Sequence, residues 1–255
     1  MASFLEMHPP TLEQRLSARL PGKGSWIMRQ TWTNLLFLHW RFSADEVQRT
    51  LPPGLTVDTF DGSAWMGVVP FFMKGVSPRG LPAVWGLSDF LELNVRTYVF
   101  DAAGRPGVWF YSLDCNQRIA VALARKFFHL PYEHARMRAV LSERSLHYTA
   151  RRRGSDDDAR YVYQAATKGR VTEPGSLEFF LVERYLMFAY ASATRRLFSG
   201  RVSHAPYKVS SDSTTVWSDL PLQQAGFTVN GRPPDHQCTS EPLKVRVYKL
   251  DEVKR

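Results

Sequence analysis

The chain has 255 residues, with 33 Lys and Arg against 24 Asp and Glu for a formal net charge of +9, and is 44% apolar, 13% aromatic and 22% charged. Such a composition supports a substantial core and excludes a disordered tail or a collagen-like repeat. The apolar runs at residues 64–73 and 179–190 are short or broken by Glu183 and Arg184, below the ~18 uninterrupted apolar residues of a membrane-spanning helix.

Residues 1–24 read as an N-terminal arm with a short helix, because Thr11 and Gln14 have capping-box spacing and Leu12, Leu16 and Leu20 recur at helical period until Pro21 and Gly22. The arm lacks the apolar core of a signal peptide and carries Glu6 and Glu13, so a soluble, cytoplasmic protein without a membrane partner is expected. Residues 25–255 read as a single domain. Within it, 25–32 is a strand, and Ser43 to Glu46 is a second capping box opening a helix that stops at Pro52-Pro53-Gly54. Residues 55–58 and 64–73, joined by Asp61-Gly62, read as a hairpin whose second strand is central, since both of its faces are apolar. A second hairpin joins 91–100 to 108–115. A helix over 117–128 follows an Asn116 cap, with Ile119, Leu123 and Phe127 four residues apart, and cannot pass Pro131. Strand pattern resumes at Ala135, shifts phase near Ser142-Glu143 as at a turn or bulge, and runs on to Ala166. Ser176 caps a short helix over 177–182, and 185–190, 197–202 and 245–250 are strands, the last of these closing the chain. Strands joined by short turns, without alternating long helices, indicate a mostly antiparallel sheet, curled or closed.

The chemistry-bearing motifs are few. There is no phosphate loop, dinucleotide-binding glycine pattern or nucleophile elbow in the sequence. Cys115 and Cys238 read as free thiols. HLPYEH places His129 and His134 at the wrong spacing for a zinc helix, and Pro131 breaks it, so no metal is expected. The segment ELNVRTY is the most suggestive, because Glu92, Asn94, Arg96 and Tyr98 share one strand face. That face is either a solvated surface or the lining of an interior, where Arg96 would hold an anion bidentately. Ser112 and Asp114 share a face on the next strand. His39, His204 and Tyr132 rank below Arg96, a lone histidine being more often a hydrogen-bonded core or cap residue than a base. The run Arg151 to Arg153 precedes Asp156 to Asp158 across Gly154, which points to neutralisation across a hairpin. Nucleic-acid binding is a weaker alternative, since no recognition motif accompanies the charge.

Taken together, LPPGLTVDTFDGSAWMGVVPF (51–71), ELNVRTYV (92–99), GVWFYSLD (107–114), ARKFFHLPYEHARM (124–137), ERYLMF (183–188) and VSHAPY (202–207) resemble the YqjF-like proteins, a bacterial family built on a domain of unknown function. The resemblance runs from about residue 26 to 250. It implies an α+β, mainly antiparallel, acetoacetate decarboxylase-like β-barrel with a central cavity and a few peripheral helices. Acetoacetate decarboxylase forms its Schiff base on a lysine in a Phe-Pro-Lys-Lys segment. The similar segment here is Leu130-Pro131-Tyr132-Glu133, so Tyr132 and Glu133 stand where the lysines would be and an imine mechanism is not expected. Lys126 is expected to face solvent. What the resemblance leaves is a cavity lined by Glu92, Asn94, Arg96 and Tyr132, with His204 a further candidate. The expected ligand is a small organic acid or carbonyl compound, taken up without a cofactor. Glu92, His204 and Tyr132 are the candidate catalytic groups if it is an enzyme, and a non-catalytic ligand-binding or sensor protein is the alternative.

Overall fold

The computed structural model describes residues 8–22, 24–211 and 214–254. The first seven residues of the expected arm, Glu6 among them, lie outside the described residues. Helix α1 (Leu12–Ser17) opens on the predicted capping box, Gln14 Oε1 accepting from the Thr11 amide at 2.7 Å and Thr11 Oγ1 from the Gln14 amide. Strands β1 (Trp26–Thr33) and β2 (Leu35–Phe42) follow, joined through Asn34 at φ 52°. Helix α2 (Ala44–Gln48) starts where predicted, yet the Ser43 side chain makes no capping bond.

The predicted hairpin between β3 (Leu55–Val57) and β4 (Ala64–Pro78) does not form. The Asp61-Gly62 turn is present, with both residues at positive φ between Phe60 and Ser63. However, both edges of β4 are taken, one by β5 (Phe90–Asp101) and the other by β2 and then β1, and β3 pairs with β5 instead. Strand β4 is thus central, as its two apolar faces require. The hairpin of β5 with β6 (Pro106–Cys115) forms as predicted, with a register shift that leaves Tyr111 unpaired. Helix α3 (Arg118–Phe128) is capped by Gln117, because Asn116 Oδ1 is turned to the Leu91 amide, and it ends at His129 in the left-handed region.

Strands β7 (Tyr132–Ser142), β8 (Ser145–Arg152) and β9 (Ala159–Tyr163) form an antiparallel meander. The phase shift near residue 142 is its first turn, with Glu143 at φ 53°. Its second passes through Gly154, and Arg151 meets Asp158 at 2.7 Å, as the opposed charge runs suggested. Strand β10 (Arg170–Val171), helix α4 (Leu177–Val182), β11 (Leu186–Ala191), β12 (Arg196–Ser203), β13 (Lys208–Ser210), helix α5 (Leu220–Gln224), β14 (His236–Ser240), β15 (Leu243–Tyr248) and the short β16 (Asp251–Glu252) complete the chain. Strand β15 therefore begins two residues before the predicted one, and β16 follows it.

Among the described residues the strands belong to one largely antiparallel sheet, with parallel pairing only of β6 to β7 and to β11. Its ladders run β4–β1–β15–β12–β11–β6–β5 and return to β4. Strand β5 is buried along its whole length. One of its faces meets a core holding Phe71, Leu113, Tyr132 and Phe180, and the other a core holding Leu38, Trp40, Tyr148 and Tyr161. Helix α1 buries no residue of its own and is tied down by arginines. Arg15 holds Asp58 through two 2.7 Å bonds, and Arg19 meets Glu183 at 3.2 Å. Among the described residues no helix is long and apolar enough to cross a membrane.

Candidate functional site

Side chains alternate across a strand, so Glu92, Asn94 and Arg96 leave on one face of β5 and Leu91, Leu93 and Val95 on the other. Leu91, Leu93 and Val95 fill the second core, whereas Glu92, Asn94 and Arg96 line a cavity of about 360 Å³. The polar face is therefore an interior lining and not a solvated surface. Across the β4 ladder Glu92 stands opposite Phe71, Asn94 opposite Val69 and Arg96 opposite Gly67. Gly67 leaves room for the arginine: a Cβ there would lie 3.2 Å from His39 and 3.4 Å from Arg96 Cγ.

Tyr132 reaches the same cavity because the first residues of β7 pair in parallel with β6, setting Tyr132 beside Leu113. Its hydroxyl donates to Glu92 Oε2 at 2.7 Å. Burial pushes the Glu92 carboxyl up to about 7; the bonds from Tyr132 and Asn94 pull it back, and nearby Asp114 adds to the rise. Burial, together with the Glu92 charge, holds the Tyr132 phenol well above its ordinary value. The pair thus combines a carboxyl that gains and loses its proton near neutrality with a phenol that stays a donor, an arrangement suited to general acid–base work.

Arg96 is only 8% exposed. It donates to the Leu181 carbonyl at 3.2 Å and to the Tyr98 hydroxyl at 3.4 Å, and its guanidinium lies 5.2 Å from the Phe37 ring centre. Its Nε has no partner, and no carboxylate among the described residues pairs with it. The contrast with Arg184 on the same cavity wall is informative, since Arg184 bonds Asp58 at 2.7 Å and the Phe180 carbonyl at 2.8 Å. Asn94 Oδ1 is likewise buried without a partner. An uncompensated buried guanidinium is costly, and a bound anion is what would offset it. Behind Arg96 a hydrogen-bonded chain runs from the Tyr98 hydroxyl to His39 Nε2 at 2.7 Å and from His39 Nδ1 to His236 at 3.1 Å. His39 is the hydrogen-bonded core histidine that its sequence setting suggested, and burial holds its pKa well down.

Glu92, Asn94, Arg96 and Tyr132 are therefore brought together. His204 is not: it is absent from the cavity wall, its Nδ1 meets the Ala205 carbonyl at 2.7 Å, and its ring stacks on Tyr185. Ser112 and Asp114 face the opposite side of the sheet, both held by Arg152. Glu133 points out to Arg125, Lys126 is exposed, and no lysine is among the residues lining the cavity. Arg184 and Tyr207 line the cavity without having been singled out from the sequence. The only local signal for Arg184 was a charge interrupting an apolar run. Among the described residues no three His, Cys, Asp or Glu side chains group as a metal ion would need.

A largely antiparallel sheet with few helices and a cavity reached by β4, β5 and β6 defines an acetoacetate decarboxylase-like protein by fold. Similar structures include the enduracididine biosynthesis enzyme MppR complexed with pyruvate, at 12% identity and a TM-score of 0.60 over 89% of this chain and 90% of that one. Another is acetoacetate decarboxylase from Legionella pneumophila, at 12% identity and 0.60 over 97% and 96%. A third is an acetoacetate decarboxylase-like enzyme from Sphingomonas wittichii RW1, at 13% and 0.56 over 91% and 94%. The chain belongs to the DUF2071 family, described as an uncharacterized conserved protein, whose model matches residues 29–244. It is 34% identical over 212 residues to the uncharacterized protein YqjF of Bacillus subtilis, covering 83% of this chain and 86% of that protein.

Proposed function

We propose that the circuit of ladders is the wall of a β-barrel and that its cavity binds a small organic acid or carbonyl compound. In this reading Arg96 takes the carboxylate, and Glu92 with Tyr132 forms a second polar point further along the same wall. The observation that carries it is Arg96 itself, a buried guanidinium with no carboxylate partner and a free Nε on a cavity wall. The pyruvate of the MppR complex, a small keto acid held on the same fold, adds support. As an enzyme the protein would move a proton through Glu92, with Tyr132 as hydrogen-bond donor to it. A lysine imine finds no support in a wall without lysine. A second reading, a non-catalytic binding or sensor protein, is favoured by a cavity wall that is mostly apolar around these few polar groups. Nucleic-acid binding has less support, because two of the three arginines in the basic run are paired, Arg151 with Asp158 and Arg152 with Asp114.

The test is a thermal-shift comparison of the wild type with Arg96→Met, which keeps most of the side-chain length, against pyruvate, acetoacetate, short monocarboxylates and neutral ketones. A ligand at roughly 100 times its Kd stabilises the fold by ~2.7 kcal/mol, a rise of several degrees in Tm for a chain of this size. At least one acid is expected to give that rise in the wild type and none in Arg96→Met. Equal shifts in both proteins would refute the role of Arg96. Turnover of the acid that binds, measured across pH, then separates enzyme from binder.

A further inference from the structure

The cavity is larger than a three- or four-carbon acid requires. At about 360 Å³ it falls in the roughly 300–1,000 Å³ range of sites that enclose drug-sized ligands. It is also polarised along its depth. Glu92, Asn94 and Arg96 are buried, whereas Val84, Leu87, Ile119 and Leu123 line the same cavity and are 53%, 41%, 52% and 51% exposed. The first two lie in the segment between β4 and β5 and the other two on α3, so the opening is rimmed by aliphatic side chains from both sides. Level with Glu92 and Asn94 the wall includes the apolar Val69, Phe71 and Leu113, and Phe128 of α3 also lines the cavity. Near them in the chain, Trp85 is 98% exposed and Phe127 59% exposed. Single exposed apolar residues are ordinary, but a cluster converging on one opening marks a binding surface.

We propose that the ligand is an amphipathic acid, with a carboxylate or keto-acid head on Arg96 and an unbranched alkyl or aryl tail passing out between Ile119 and Leu123 of α3 and Val84 and Leu87 of the facing segment. The assignment rests on Arg96 as the anion anchor. Ile119 and Leu123 then have a purpose as helix surface: α3 packs its Val121 and Phe128 against the core and turns Ile119 and Leu123 toward the cavity. Each methylene buried along this path contributes ~0.8 kcal/mol, a factor of about four in affinity.

Calorimetric titration of the full chain with straight-chain monocarboxylates from butanoate to decanoate, below their micellar concentrations, tests this. Kd is expected to fall about fourfold per methylene over the first several added carbons, and octylamine is expected not to compete. The double variant Ile119→Gln, Leu123→Gln should weaken decanoate about tenfold more than butanoate, whereas Arg96→Met should weaken every member. Binding that is independent of chain length would overturn the tail assignment and leave the anchor standing. A chain-length dependence unmoved by the double variant would also overturn it, as would octylamine binding as tightly as the acids. No binding of any acid would overturn both readings. A dimer in sedimentation equilibrium that the double variant dissociates would give the rim to a second copy of the chain, overturning the tail assignment as well.

Discussion

Replacing Glu92 by Gln tests the electrostatics of the site without any knowledge of the ligand. Glu92 is fully buried, and its carboxyl is raised from 4.5 to about 7 chiefly by burial. For an acid, a raised folded-state pKa means that the fold holds a proton the unfolded chain has already released. Stability is therefore unaffected below pH 4.5, falls as pH rises from 4.5 to about 7, and carries the full cost above that. At about 1.36 kcal/mol per pH unit, the interval from 4.5 to about 7 sets that cost on the order of 3 kcal/mol. Gln keeps the shape and can still accept from the Tyr132 hydroxyl, but it does not titrate. Urea unfolding of both proteins between pH 4.5 and 8.5, read as the difference in free energy at each pH, cancels the contributions of every other titrating group. Relative to the wild type, Glu92→Gln is expected to gain on the order of 3 kcal/mol between the two ends of that range, with most of the change between pH 5 and 7. Tyr132→Phe removes a bond that lowers the carboxyl pKa, so it should extend the fall to higher pH. A difference that stays flat with pH would refute the reasoning, because Glu92 would then be as solvated in the fold as outside it.

Two further outcomes follow from contacts away from Glu92. Asp58 accepts from both Arg15 and Arg184 and is fully buried, so Asp58→Asn leaves two guanidinium groups uncompensated and should cost ~3–5 kcal/mol in urea unfolding; Arg15→Ala, which spares the Arg184 pair, should cost less. Borohydride reduction in the presence of acetoacetate should leave no covalent adduct in the mass spectrum of the intact protein, since no lysine lines the cavity, and a stable adduct on any lysine would contradict the assignment.

The alternation of ELNVRTY was legible because a strand has a period of two whatever surrounds it. Which face looked inward was not, since β5 has an apolar core against each face and the deciding neighbours come from β4 and β7. Strand β2 went unread for a related reason: LLFLHW is buried at every position, so it shows no alternation, and a continuous apolar run does not declare its period. The β3–β4 hairpin failed because turn chemistry fixes a reversal of the chain but not which strand edges are free to pair. His204 looked like a candidate beside Tyr207, yet only Tyr207 reaches the cavity. The buried pairs Arg15 with Asp58 and Arg19 with Glu183 span 43 and 164 residues, separations at which no local pattern exists.

The placement of Glu92 and Arg96 explains why both remain chemically available. They share a face but stand four residues apart, roughly 13 Å along an extended strand, with Asn94 between them. Had they paired directly, the guanidinium would have pulled the carboxyl down into its ionised range and lost its own capacity for an outside anion. Arg96 is instead absent from the influences acting on Glu92, which are burial, Tyr132, Asn94 and Asp114. Tyr132 completes the logic. In the segment that resembles the decarboxylase lysines, a cation at residue 132 would sit within hydrogen-bond reach of Glu92 and favour its ionised form. A phenol in that place lowers the carboxyl pKa only partly, so Glu92 keeps its proton up to neutral pH. With a phenol beside it and no lysine among the residues lining the cavity, Glu92 is placed to share a proton and not to support an imine, and under the proposed function Arg96 supplies the positive charge for a ligand.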